Sequence, residues 1–153
     1  MNNYSTATDE LFDKVLSVIN SAEAVAIFGH QLEGRWQGNE TNTKPDNSKV
    51  WYRVSRQTVS NPKTGFGNSE SSRSRGKFTN YGILFVQLFI PKAPTELYQK
   101  TTKLAQMIVS RSFRNKTTQG RIVFRNPRIQ ELLPENDLNR INVVTEYEYD
   151  EIQ

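Results

Sequence analysis

With 153 residues and no cysteine, the chain is long enough for one domain around one core, and a disulfide scaffold, a thiol nucleophile and a thiolate zinc site are excluded. No apolar run approaches the roughly 18 residues of a membrane span, and the opening Met1-Asn2-Asn3-Tyr4-Ser5-Thr6 lacks a charged-then-apolar leader pattern, so a soluble protein made in the cytoplasm is expected. The net charge of +4 is unevenly spread: residues 1–40 carry 2 basic and 6 acidic side chains, residues 41–128 carry 17 and 3, and residues 129–153 carry 1 and 7; acidic ends argue against a plain phosphate-binding surface and suit head-to-tail stacking of identical subunits.

Leu11, Phe12, Val15, Leu16 and Ile19 recur at helical spacing, with Thr8 placed to cap and Asp9 and Glu10 in the first turn, which predicts an amphipathic helix over 9–19. Ala24 to Phe28 reads as a short apolar strand. Residues 33–49, with Gly34, Gly38 and Pro45 among many Asn and Thr, read as a long loop. Val50–Val59 and Lys77–Ile90 are rich in β-branched and aromatic residues and are predicted to pair antiparallel. In the longer one, Leu84, Val86, Leu88 and Ile90 point one way and Ile83, Phe85 and Phe89 the other, so both faces need cover and the strand is central. The stretch between the two, Ser60–Gly76, holds Pro62, Gly65, Gly67 and five serines and is predicted to be a mobile hairpin loop.

Pro91 and Pro94 end that strand, and a second helix is predicted from a Thr95 cap to about Phe113. Its side formed by Leu97, Thr101, Leu104, Ala105, Ile108 and Ser112 faces the sheet. At about 100° per residue, Lys100, Lys103, Arg111 and Arg114 fall in an arc of roughly 80° and form one basic stripe. A third strand is predicted over Arg121–Ile129 and a fourth over Arg140–Asp150, joined by a turn containing Pro134, Asn136 and Asp137. The fourth alternates most clearly. Ile141, Val143, Thr145, Tyr147 and Tyr149 share one face, while Asn142, Glu146, Glu148 and Asp150 share the other with Val144. The fold class predicted from these elements is α+β: a twisted, mostly antiparallel sheet packed by two helices, with a long mobile hairpin loop.

Chemistry-bearing clusters are sparse. His30 is the only histidine and reads as a surface residue. Glu146, Glu148 and Asp150 stand in a line roughly 6 to 7 Å apart along a strand and do not converge as a metal or acid–base site must. Gly65-Phe66-Gly67 lacks the Lys-Ser/Thr ending of a phosphate loop. No enzyme activity, metal or cofactor is expected. Arg73, Arg75 and Lys77 near Phe66, Phe78 and Tyr81 mix basic and stackable residues, which serves either nucleic acid or an acidic protein surface; a basic nucleic-acid-binding module is the alternative from a different class.

The order of elements, together with the strand Val50-Trp51-Tyr52-Arg53-Val54-Ser55, the run from Arg75 through Gly82-Ile83-Leu84-Phe85-Val86-Gln87-Leu88-Phe89-Ile90-Pro91, and the closing acidic strand Val143-Val144-Thr145-Glu146-Tyr147-Glu148-Tyr149-Asp150, resembles the tail-terminator (tail-completion) family of long-tailed bacteriophages from Leu11 to Asp150. The resemblance implies a small α+β virion subunit at the head–tail junction that assembles into a ring, a hexamer in that family. Such a ring caps the tail tube, stops its polymerisation and presents the surface that joins the head. Its partners would be further copies of itself, the tail-tube protein and a head-completion or neck protein, with no membrane and with nucleic acid at most passing through the lumen. A related ring protein of the neck or tail tube is the near alternative. In a ring, the acidic face of Glu146, Glu148 and Asp150 is expected to meet the stripe of Lys100, Lys103, Arg111 and Arg114 on a neighbour, and Arg73, Arg75 and Lys77 to belong to a partner-binding loop.

Overall fold

A computed structural model describes residues 4–36, 45–60, 77–135 and 137–152, which form three helices and a five-stranded sheet. Helix α1, Tyr4–Ile19, starts well before the predicted position because Ala7 extends the apolar stripe by a turn: Ala7, Leu11, Phe12, Val15, Val18 and Ile19 are all buried. Thr8 is therefore no cap. It lies one turn inside, its hydroxyl donating back to the Tyr4 carbonyl at 2.8 Å.

The segment predicted as a strand at Ala24–Phe28 is a helix, α2, Ala22–Phe28. A short apolar run carries no periodicity that separates the two, and the flanks decide. The Ser21 hydroxyl accepts the Ala24 amide at 3.2 Å, and Gly29, at φ 79°, closes the last turn by donating to the Val25 carbonyl at 2.7 Å.

The stretch predicted as a loop from residue 33 begins instead with β1, Glu33–Trp36, which runs parallel to β2, Trp51–Ser60. Strand β2 pairs antiparallel with β3, Lys77–Pro91, as predicted, and β3 is the central strand of the order β1-β2-β3-β5-β4. Strand β4, Val123–Glu135, runs on past the predicted end at Ile129, and its Pro134 is tolerated because β4 is an edge strand. Strand β5 is Leu138–Ile152. Of the predicted mobile loop, Ser60–Gly76, Ser60 is the last residue of β2 and residues 61–76 lie outside the described residues.

Helix α3, Glu96–Ile108, continues as a π-helical turn, Val109–Phe113. Thr95 occupies the cap position but has helical φ and ψ, and its side chain makes no cap bond. The predicted inner side is otherwise the buried one: Thr101, Leu104, Ala105, Ile108 and Ser112 are buried. Its hydroxyls are satisfied, Thr101 donating within the helix to the Leu97 carbonyl at 2.7 Å and Ser112 across to the Lys14 carbonyl of α1 at 2.9 Å.

All three helices contribute to one core against one face of the sheet, where Leu84, Val86, Leu88 and Ile90 of β3 and Ile141 and Val143 of β5 are buried. The opposite face carries a small separate cluster, Trp51, Phe89 and Leu138, to which no helix among the described residues contributes. Trp51 and Phe89 stack with ring centroids 4.0 Å apart, worth about 0.5–1.5 kcal/mol beyond their area.

On the inner face the Tyr147 ring of β5 lies directly over Gly82 of β3, its register partner, and a β-carbon at Gly82 would overlap the ring. Gly34 makes the same concession to Tyr52. Gly82→Ala is accordingly expected to cost about 1–3 kcal/mol by overpacking, read as a lower urea midpoint at unchanged slope; an unchanged midpoint would contradict this packing.

Candidate functional site

The face of the sheet turned away from the helices is the candidate site. Register places Arg53, Gln87, Asn142 and Gln130 in one row across it, then Ser55, Phe85, Val144 and Arg128 in the next. Glu146 follows opposite Ile83 and Arg125, and Glu148 opposite Tyr81 and Val123. Glu146, Glu148 and Asp150 thus line up along β5, but each already has a partner in its own chain. Arg125 donates to Glu148, its Nε at 2.6 Å, Arg128 lies 3.4 Å from the Glu146 carboxylate, and the Thr79 hydroxyl donates to Asp150 at 2.8 Å. The line therefore holds two exposed or partly exposed ion pairs, each contributing at most about 1 kcal/mol, and one hydroxyl-to-carboxylate hydrogen bond.

The two arginines share that face because of a bulge. Residues three apart on a strand point to opposite faces. Between Arg125 and Arg128, however, the register slips, with Asn126 at φ 50° and Pro127 left out of the Cα register with β5. Sequence alternation gave no sign of this; the Asn-Pro pair is the only local signal.

The basic stripe is rearranged in the same way. Lys100 sits 3.9 Å from Glu96 one turn back. The π-helical turn departs from 100° spacing, and Arg111 reaches α2, where its guanidinium bonds Glu23 at 2.6 Å. That hydrogen bond and the charge behind it hold the Glu23 carboxyl below its ordinary range. Lys103 and Arg114 are exposed and, among the described residues, make no ion pair. Lys77 opens β3 opposite Ile152, while Arg73 and Arg75 lie outside the described residues. His30 is exposed, its Nδ1 3.0 Å from the Gln31 carbonyl.

One functional-looking residue escaped sequence reading. Arg56 of β2 points to the inner face and is 6% exposed. Its guanidinium lies 3.9 Å from the Tyr4 ring centroid, donates to the Tyr4 carbonyl at 3.0 Å, and sits 6.0 Å from the Tyr147 centroid. Aromatic faces suit a weakly hydrated planar cation, so the cluster ties the start of α1 to β2 and β5. Among the described residues no three His, Asp or Glu side chains group as a metal site requires, and no helix is long and apolar enough to cross a membrane.

No family model matches the chain, and no curated protein matches it by sequence. Solved structures do. One, described only by a sequence identifier, superposes with TM-score 0.64 at 13% identity, covering 99% of this chain and 97% of its own. Another comes from the virion of a native gene transfer agent particle and superposes with TM-score 0.59 at 10% identity, covering 97% of this chain and 100% of that one. At these identities the shared property is the fold, matched from end to end.

Burial raises the pKa of Tyr52, Tyr147 and Tyr149 above the ordinary value of 10.0. An unfolded chain releases these phenolic protons first, so their contribution to stability is intact below pH 10 and is lost as pH rises beyond it. Tyrosinate absorbance of the folded protein is expected to lag that of a urea-unfolded sample in an alkaline titration. Coincident curves would contradict the burial of these tyrosines.

Proposed function

We propose that the chain is a non-enzymatic virion subunit that forms a ring at the end of a phage tail tube, where it ends tube polymerisation and offers the surface that joins the head. The observation that carries the reading is the end-to-end match to a chain from a virion-like particle. It is supported by the distribution of charge and by a sheet with one face free of helices among the described residues.

Capping follows from asymmetry. A ring whose two ends differ can dock on the last tube ring by one end while the other end offers no seat to a further tube ring. Around the ring, neighbours would meet with the Lys100, Lys103, Arg111 and Arg114 side of one copy toward the Glu146, Glu148 and Asp150 face of the next. Lys103 and Arg114, which make no ion pair among the described residues, are the cations that reach across, and the carboxylates would exchange Arg125 and Arg128 for a neighbour's charge. Such exchanges orient subunits more than they hold them. Apolar contact supplies the rest, and the exposed Val59 and Tyr81 stand at the acidic end of this face.

A nonsense mutation at Trp51 tests the reading by electron microscopy of lysates. Loss of a terminator leaves overlong or ragged tails beside DNA-filled heads that lack them, with genome replication unchanged. Normal-length tails joined to heads would refute the reading. Normal-length tails left unjoined would move the protein to the neck, and a replication defect with normal tails would favour a nucleic-acid-binding role.

A further inference from the structure

Between the end of α3 and the edge strand β4 runs a groove of about 450 Å³, walled by Val109, Ser110 and Arg114 on the helical side and by Pro127, Arg128 and Ile129 on the strand. Three features of it point to one kind of occupant. The first is the edge itself. Strand β4 is last in the sheet, and a single bridge from Thr117 covers its start at Val123. From Arg128 to Leu132 it pairs only with β5 among the described residues, so alternate amides and carbonyls of this strip face outward. The Asn126-Pro127 bulge on one side and Pro134 on the other bracket the strip and limit pairing to about five residues, the length of an ordinary strand.

The second feature is the floor, where buried Val109 and half-buried Ile129 give an apolar seat. The third is charge. Arg114 is exposed at the groove and, among the described residues, its guanidinium has no partner. Arg128 beside it bonds the Asn126 carbonyl and Glu146. Glu131 stands further along the strand, so a carboxylate is favoured at the Arg114 end of the groove and disfavoured at the other.

We propose that this groove takes an extended segment of another protein, which adds to the sheet beside Arg128–Leu132 with an apolar side chain over Val109 and Ile129 and a carboxylate on Arg114. Backbone pairing supplies affinity, and the apolar seat and the arginine select the sequence. The proposal goes beyond the ring reading and does not require it; because both use Arg114, the segment and a neighbouring copy compete for that end of the groove.

The test is to pan a display library of short randomised peptides on the full-length protein. Enriched peptides are expected to combine alternating apolar residues with an Asp or Glu near one end. Arg114→Glu should weaken a selected peptide by about tenfold or more, and Arg114→Lys should recover part of the loss. Bound peptide should slow amide exchange within Arg128–Leu132. Arg114 is exposed, so unchanged thermal melting is the control for folding. The proposal is overturned if no peptide is enriched, if enriched peptides bind Arg114→Glu as well as the native chain, or if protection appears on another element. It is equally overturned if native mass spectrometry shows that Arg114→Glu breaks an oligomer while no peptide is enriched, because the groove then belongs to a second copy of the chain.

Discussion

Strands β3 and β5, each fifteen residues long, lie side by side over their entire length, from Lys77 opposite Ile152 to Pro91 opposite Leu138. This pairing is the frame of the molecule. It aligns Leu84, Val86 and Leu88 with Thr145, Val143 and Ile141 in a continuous buried floor, on which α3 rests, with α1 packed against α3. Because side chains alternate with period two, a slip of one residue would turn that floor outward and bring Glu146 and Glu148 under the helices. Tyr147 seated over Gly82 adds a steric mark of the same register, since only this pairing sets the ring over the residue without a side chain.

The pairing also makes the two faces and the two edges unlike. The inner face is filled by helices and ends in a cation held among tyrosine rings. The outer face carries an aromatic stack at one end and a ladder of carboxylates and arginines at the other. One edge is the four-residue β1, parallel to its neighbour, and the other is the thirteen-residue, bulged β4. Unlike edges and faces suit heterologous association, in which one patch meets a different patch on the next copy, and this is what the proposed ring requires.

Much of this was legible in the sequence, and the failures share one cause. Long segments with a clean period announced themselves: the alternation of β5, the two-sided apolar β3 and the inner side of α3 all form as predicted. Short or irregular segments did not. Seven residues of α2 carry too little period to tell helix from strand, and Ser21 and Gly29, the caps that decide it, lie outside the apolar run. Strand β1 hides among Gly and polar residues because a short parallel edge needs little hydrophobicity when a neighbouring tyrosine covers its glycine. The charged residues depart from their expected spacing for the same reason at finer scale. A bulge at Asn126-Pro127 and a π-helical turn after Ile108 each interrupt a regular period. Arg125 and Arg128 thereby reach the carboxylates, and Arg111 reaches Glu23, contacts that ideal spacing does not contain. Arg73 and Arg75 lie outside the described residues.

The central claim, that this chain is a structural subunit at the end of a phage tail, is tested most directly by electron micrographs of virions labelled through a tag on the chain. Label confined to the junction between head and tail is the predicted result. Label spread along the tube or over the capsid, or its absence from purified particles, would contradict it.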